Sequence, residues 1–387
     1  MRVGLLIYGT DRPLQGVTRA ALELASALNS SGACQLVPLM AGGSQASPCG
    51  KSAGMWVLPG CSRLPVLMLL GGPLISVAAR RLSLDLVHDP IGIAPFTLGR
   101  WSGSFARVVT IHDATPFRYP QGYPWLNNFL YRRYLPVTLS AVDAVITDSA
   151  FSRQEIDKYY RITAQWSHVV PLGVTGTFGP VQPEVAQRTA SRYRLSSPYI
   201  LSVGSQQARK NLPTVVEAFA RLHERHPETR LAIVGPSLWR YEGLREQLSR
   251  LRLQDAVVRL GSVPDPDLAA LYAGASVFVL ASLFEGFGLP VLEAMACGTP
   301  VVCSNTTSLP EVAGNAALLI NPNDAQSLCD AIESVMCDSK LADLLRHRGR
   351  QRASEFSWES TAQQTLNVYR YTLQDRKARH LRDKSKR

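Results

Sequence analysis

Short apolar runs, each followed by a stretch of helical periodicity, recur along the whole chain, and this alternation constrains the fold more than any other feature. A brief strand followed by a helix returns the chain to the same edge of a sheet, so a succession of such units builds a parallel sheet wrapped by helices. In the first half the expected strands are Val3 to Ile7, Leu86 to His88, Val108 to Ile111 and Ala144 to Thr147. Val17 to Leu28 is expected to be a helix, because Ala21, Leu24, Ala25 and Leu28 repeat at i, i+3, i+4 and i+7.

The pattern stops and restarts. Residues Leu172 to Pro198 contain Gly173, Gly176, Gly179, Pro180, Pro183 and Pro198, a composition suited to a linker and a polar connecting stretch. Beyond it the expected strands are Tyr199 to Val203, Arg230 to Val234, Val257 to Leu260, Val277 to Leu280, Pro300 to Cys303 and Ala317 to Ile320. Helices are expected at Leu212 to His223, Tyr241 to Leu251, Pro266 to Gly274, Ala325 to Met336 and Trp358 to Leu373. With 387 residues there is chain enough for two cores, and the expected organisation is a first α/β domain over 1–175, a second over 176–357, and a terminal helix with a basic tail over 358–387. Ligands of two such tandem sheets are expected in a cleft between their strand carboxyl ends.

Charge and cysteine usage narrow the function classes. The formal charge of +11 is uneven, since the tail from Arg376 to Arg387 holds seven Lys or Arg and one acid, Asp383. Such a tail suits an anionic membrane surface, nucleic acid or plain solvation as a frayed terminus; no nucleic-acid reader motif accompanies it, so no nucleic acid is expected as partner. Seven cysteines at 34, 49, 61, 297, 303, 329 and 337 form no CxxC pair and lack histidines at ligand spacing, so no metal is expected and a reducing cytoplasm is. Arg2 to Tyr8 reads as a strand and not as the apolar core of a signal peptide. Leu64 to Ala79 is the longest apolar stretch, too short to span a bilayer and broken by Pro65 and Gly71-Gly72-Pro73. It reads as a core helix interrupted by a turn or as a membrane-contacting patch.

The segment Ser282 to Pro300 carries the most chemistry. Pro290 suits the first turn of a helix and Gly298 the position just past its end. Gly286 and Gly288 let a ligand approach the backbone, and free N–H groups at that helix start favour an anion. Glu285 in the loop and Glu293 in the first turns can accept from the vicinal hydroxyls of a hexose or a ribose, or stand, respectively, as a residue complementing the helix dipole and as an ordinary solvated helix residue. The strand Tyr199 to Val203 runs into Gly204 and Ser205 and then Arg209-Lys210, where a guanidinium fork and an ammonium could grip a diphosphate.

Glu285-x7-Glu293, Gly204…Arg209-Lys210-Asn211, Pro171-Leu-Gly-Val174, Gly261-Ser-Val-Pro264 and Thr307-Ser-Leu-Pro-Glu-Val312 together resemble the retaining glycosyltransferase family 4 over roughly residues 170 to 335. The resemblance implies the GT-B fold, two Rossmann-like domains facing each other across a cleft, with the C-terminal helix crossing back to the N-terminal domain. It implies a nucleotide-sugar donor, no required metal, and retention of anomeric configuration. It assigns Glu285 to the donor sugar, Glu293 to the ribose, Arg209 and Lys210 to the leaving diphosphate, Gly286, Phe287, Gly288 and Leu289 to sugar and phosphates, and Val263 to the base. Where many relatives have an arginine after the glycine, this chain has Ser205, and Arg209 is expected to take over its charge.

On the acceptor side, Thr110-Ile-His-Asp-Ala-Thr-Pro sets His112 and Asp113 just after a strand. A similar His-Asp segment in mannosyltransferase-like relatives implies a place near the transferring sugar. Gly16 belongs to a loop, Gly9 to Arg19, that resembles the family's loop over acceptor and diphosphate. Asp148-Ser-Ala-Phe-Ser152 is expected to supply a helix cap through Ser149 or Ser152. The wording of these motifs makes GDP-mannose the first expectation and a UDP-hexose the second, with a glycan or lipid-linked oligosaccharide of bacterial surface polysaccharide as acceptor at the inner membrane face. An NAD-dependent oxidoreductase would need a G-x-G-x-x-G turn after a first strand, and neither half has one.

Overall fold

The apolar runs become strands, and among the described residues every pairing between them is parallel. The computed structural model describes residues 1–9, 16–41, 55–61, 64–96, 105–122, 125–162, 166–195, 198–236 and 242–385. The chain divides into two compact units, Met1–Gly173 with Ser357–Arg387 and Val174–Phe356.

In the first unit the described strands are β1 (Arg2–Tyr8), β2 (Gln35–Ala41), β3 (Trp56–Val57), β4 (Leu86–Asp89), β5 (Ala106–Thr110), β6 (Ala144–Thr147) and β7 (Ser167–Val169), in the order β3-β2-β1-β4-β5-β6-β7. β4 and β6 are buried along their whole length, as strands covered on both faces must be. Leu6, Leu39, Val87, Val109 and Val145 lie in one core with Leu67, Met68 and Ile75 of a helix over Leu64–Arg81.

That helix is continuous, which corrects the expected interruption by a turn. Gly71 serves packing instead: a Cβ there would lie 3.1 Å from Pro95 Cβ. Pro73 sits inside the helix, while Leu70 and Val77 remain exposed.

The second unit has β8 (Tyr199–Val203), β9 (Arg230–Val234), β10 (Val257–Gly261), β11 (Val277–Leu280), β12 (Val301–Ser304) and β13 (Leu318–Ile320), in the order β10-β9-β8-β11-β12-β13. Ile200, Leu231, Ile233, Val277, Val279 and Val302 form its core with Val215, Val216, Phe219 and Leu222 of the helix Leu212–Arg225. The stretch read as a linker holds a helix, Pro183–Arg192, with Ala186, Thr189 and Ala190 buried. Its proline occupies the first turn, where no N–H is needed, so a residue that signals a break in sequence here begins an element. Tyr193 at its end donates to Asp267 at 2.7 Å.

The terminal helix runs over Trp358–Ser385, well past Leu373, so the basic segment is helical as far as Ser385. It belongs to the first unit and is anchored there by a buried relay. His88 Nδ1 lies 2.7 Å from the Tyr369 hydroxyl and its Nε2 2.8 Å from Thr110 Oγ1. Burial, with the charge of His112 adding to it, pushes His88 down to about 3, so its ring is neutral and both hydroxyls complete it. Farther along, Arg376 and Arg379 reach Asp143 at 3.2 and 3.4 Å, and Arg379 lies over the Trp166 ring.

Of the remaining expectations, most of the loop over Gly9 to Arg19, residue Cys49 and the first residue of the helix expected from Tyr241 lie outside the described residues. Tyr369→Phe would leave His88 Nδ1 buried without its hydroxyl, and a loss of about 1–3 kcal/mol is expected. Urea unfolding checks this; an unchanged midpoint would show that the relay does not hold the helix.

Candidate active site

In the second unit chain order reverses between β8 and β11, so the loops leaving their carboxyl ends diverge and leave a crevice where a ligand can sit. The loop after β8 is held very close to its neighbour. A Cβ on Gly235, at φ +136°, would stand 2.1 Å from the Gly204 carbonyl oxygen, so only glycine fits after β9. Past Ser205 the chain makes one tight turn over Ala208–Lys210, passes through Asn211 at φ +55°, and enters the helix Leu212–Arg225. The turn is tied across the crevice, because Leu283 N–H donates to the Arg209 carbonyl at 2.7 Å.

The loop after β11 carries Glu285 to the same place. Its carboxylate accepts from Lys210 Nζ at 2.5 Å and Arg209 Nη1 at 2.9 Å, and from Ser282 Oγ at 2.6 Å. Arg209 also donates to the Phe284 carbonyl at 3.0 Å. Burial disfavours the charge on Glu285, but the ammonium of Lys210 and the guanidinium of Arg209 outweigh it and bring its pKa down to about 2. Three groups expected at a sugar diphosphate are therefore in direct contact with one another.

The rest of the loop is held from below. Glu285 N–H donates to Thr307 Oγ1 at 3.3 Å, and the Ser308 hydroxyl reaches the carbonyls of Glu285 and Phe287 at 3.0 and 2.8 Å. Gly286 is buried, and Phe287 packs its ring edge-on to Phe356. Gly288, at φ +113°, caps the helix Leu289–Ala296, and a Cβ on it would meet Leu309 at 2.6 Å. Glu293 lies within that helix, only 6% exposed, and accepts from the Tyr272 hydroxyl at 3.0 Å. An ordinary solvated helix position is excluded by that burial. Val263 is half-buried in the turn between β10 and the helix Asp265–Gly274.

In the first unit order reverses between β1 and β4. Asp89, at the end of β4, accepts from the N–H groups of Ile91, Gly92, Ile93 and Ala94 and so folds the loop that carries Pro90. His112, two residues past β5, has Nε2 3.0 Å from the Pro90 carbonyl and Nδ1 2.6 Å from Asp148 Oδ2. Burial opposes a charge on this ring, but the Asp148 carboxylate prevails and raises its pKa to about 9. Asp113 instead accepts from Thr115 N–H at 2.8 Å at the start of a short helix. Gly16 opens the helix Gly16–Ser30, with open space where a Cβ would stand.

Asp148 was expected to be no more than the neighbour of a helix cap. Ser149 does cap, accepting from Ser152 N–H, and Ser152 Oγ donates to the His112 carbonyl. The aspartate itself pairs with the histidine, however, because β5 and β6 are parallel neighbours in the sheet and the residues following them end side by side. Asp148 Oδ1 and Trp358 Nε1 make no hydrogen bond within the protein. Both side chains border a cavity of about 20 Å³, room for one water molecule. Asp89, Tyr272, Thr307 and Ser308 were likewise given no individual role by sequence reasoning.

Comparison with known proteins identifies the family and the fold. Residues 14–175 match the model described as Glycosyltransferase Family 4, and residues 186–352 that described as Glycosyl transferases group 1. The O-antigen chain mannosyltransferase B of Escherichia coli is 34% identical, over 74% of this chain and 74% of that protein. The MMP alpha-(1->4)-mannosyltransferase of Mycolicibacterium hassiacum is 32% identical, over 76% of this chain and 72% of that protein. Among solved structures, the sucrose-phosphate synthase of Thermosynechococcus elongatus has a TM-score of 0.77 at 23% identity, covering 96% and 98% of the two chains. Anabaena HepE in complex with UDP-glucose has a TM-score of 0.77 at 16% identity, covering 95% and 99%. These two likenesses show the fold, two parallel-sheet Rossmann-like domains of the GT-B type.

The ion pairs of Glu285 make stability depend on acid. Its pKa drops from the ordinary 4.5 to about 2 on folding, so its contribution is present above pH 4.5 and is lost as the pH falls through 2. The difference corresponds to roughly 3 kcal/mol at neutral pH. Glu285→Gln is expected to unfold at lower urea than the unsubstituted protein at pH 7, with the gap narrowing from pH 5 towards pH 3. A gap independent of pH would assign the loss to packing and not to charge.

Proposed function

Because the chain belongs to glycosyltransferase family 4, we propose that it transfers mannose from GDP-mannose, with retention of anomeric configuration, to a glycan or lipid-linked oligosaccharide acceptor in the building of a bacterial surface polysaccharide. The observation that carries this reading is the joint hold of Arg209 and Lys210 on Glu285 at the β8 and β11 carboxyl ends. A diphosphate entering there meets two cations already oriented by a carboxylate, and that carboxylate remains beside it to accept from sugar hydroxyls. Glu293, fixed by Tyr272, takes the ribose hydroxyls. The backbone from Gly286 to Leu289 and the helix start at Gly288 serve sugar and phosphates. Gly204 and Ser205 line the phosphate side, Val263 the base, and Gly16, His112 and Asp113 the acceptor side.

Breaking the sugar–phosphate bond builds negative charge on the leaving diphosphate, which Arg209 and Lys210 offset, so the reading assigns no metal to the reaction. The leaving phosphate takes the proton of the acceptor hydroxyl on the same face of the sugar. Mannose is supported by the names of the two mannosyltransferase relatives. A UDP-hexose is the second reading, supported by the UDP-glucose held by HepE.

For the acceptor we place the enzyme at the cytoplasmic face of the membrane. Among the described residues no helix is long and apolar enough to cross a membrane. Contact at the surface is supported by exposed Trp125, Phe129 and Val137 near Arg132 and Arg133, on a segment bonded to the Leu64–Arg81 helix through Tyr134 and Met68. This patch suits an anionic surface better than the terminal segment, whose Arg376 and Arg379 are engaged by Asp143.

A thermal-shift screen of GDP- and UDP-sugars is expected to show stabilisation by GDP-mannose that Glu293→Ala abolishes; stabilisation by UDP-sugars alone would move the donor to the second reading. Lys210→Ala is expected to cut turnover by about a hundredfold or more while the protein stays folded. A near-normal rate would remove Lys210 from the leaving-group site, and an inverted product anomer in NMR would refute retention.

A further inference from the structure

The His112 ring is held at both nitrogens by groups that can only accept. The Pro90 carbonyl stands 3.0 Å from Nε2 and the Asp148 carboxylate 2.6 Å from Nδ1, so a ring satisfied on both sides carries a proton on each nitrogen. Neither partner can swing away easily. Pro90 is fixed by the four N–H groups that Asp89 gathers, beginning with Ile91. Asp148 is rooted at the end of β6 and only 2% exposed.

We propose that Asp148 is a positioning residue that, with the Pro90 carbonyl, clamps the His112 ring and keeps it a cation, so that His112 acts as a fixed positive charge and not as a proton shuttle. A shuttle needs one ring nitrogen turned towards the substrate, and here both are spent on the protein. Giving up either proton would set a lone pair against a carboxylate or a carbonyl, at the cost of a buried hydrogen bond. The inference rests on the assignment of His112 to the acceptor side of the site in the proposed reaction. It deepens that reading: as the acceptor oxygen bonds to the sugar carbon and the bond to the diphosphate oxygen breaks, the hydroxyl proton goes to the leaving diphosphate and not to the imidazole.

The surroundings agree. His88 on β4 is neutral, Asp113 adds a second negative charge beside the ring, and Asp148 supplies the first. The first and last helices of this unit border the adjoining cavity with Ala20, Ala21 and Leu24 and with Trp358, Thr361 and Thr365, none of them ionisable.

The test is a pH titration of the full chain with its histidines labelled at the ring carbon, read by NMR, with His112→Gln identifying the signal. In the unsubstituted protein the His112 midpoint is expected near 9, and Asp148→Asn is expected to lower it by about two pH units. A midpoint at or below the ordinary 6.5 in the unsubstituted protein overturns the proposal, whether or not the variant folds. So does a midpoint that Asp148→Asn leaves in place. With GDP-mannose as donor, Asp148→Asn is expected to lose about tenfold or more in kcat at pH 8 and less at pH 6, with donor KM within about twofold. An equal loss at both pH values would mark a merely structural role and overturn it. If the unsubstituted enzyme transfers nothing from GDP-mannose, the donor reading fails while the titration still decides the clamp.

Discussion

A carboxylate taken out of water must find a cation or give up its charge, and in the second unit that requirement organises everything around Glu285. Its oxygens engage Lys210, Arg209 and Ser282, which come from loops after two different strands. The pairing therefore acts as a clasp between the β8 and β11 loops, reinforced by the backbone bond from Leu283 to Arg209. At Gly235 the backbones come too close for a side chain, while a Cβ on Gly204 would crowd the Lys210 side chain and one on Gly288 the Leu309 side chain. Without the clasp, the buried Glu285 carboxylate would lose the two cations that hold its charge, and apolar packing cannot replace them.

The first unit solves the same problem with different residues. Here Asp148 and His112 close the ends of β5 and β6, and Asp89 spends its charge on a ring of backbone donors. Each unit thus keeps an ionised group at the carboxyl ends of a parallel sheet, and in both sheets the order of strands reverses beside the unit's first strand. The likeness between halves lies in strand order and not in chemistry. One half gathers an acid and two bases from two loops, the other a histidine held between a carboxylate and a carbonyl.

Much of this was legible in sequence, for a physical reason. Strands buried on both faces read as unbroken apolar runs, so Ala144 to Thr147, Tyr199 to Val203, Arg230 to Val234 and Val277 to Leu280 were found at their observed limits. β2 was missed because Pro38 sits in its middle and a proline speaks against a strand. Among the described residues β3 pairs with Leu39 and Met40 and not with Pro38, so no described strand needs the N–H that Pro38 lacks on that side. The helix Pro183–Arg192 was hidden by the glycines and prolines around it. Glu285, Glu293, Arg209 and Lys210 could be named because they stand in motifs. Asp148 and Tyr272 could not, since their partners lie 36 and 21 residues away and meet them only through strand order and helix packing.

The helix Trp358–Ser385 returns to the unit in which the chain began, and the hydrogen bond that fastens it joins residues 281 positions apart. During synthesis the whole of the second unit emerges between these partners. The first sheet must therefore wait on the ribosome with His88 and Thr110 uncovered until the last turns are released. A nascent chain stalled between Phe356 and Tyr369 carries every strand of the second unit but a first unit still lacking the hydroxyl that fastens His88, so the part of the chain made first is the part closed last.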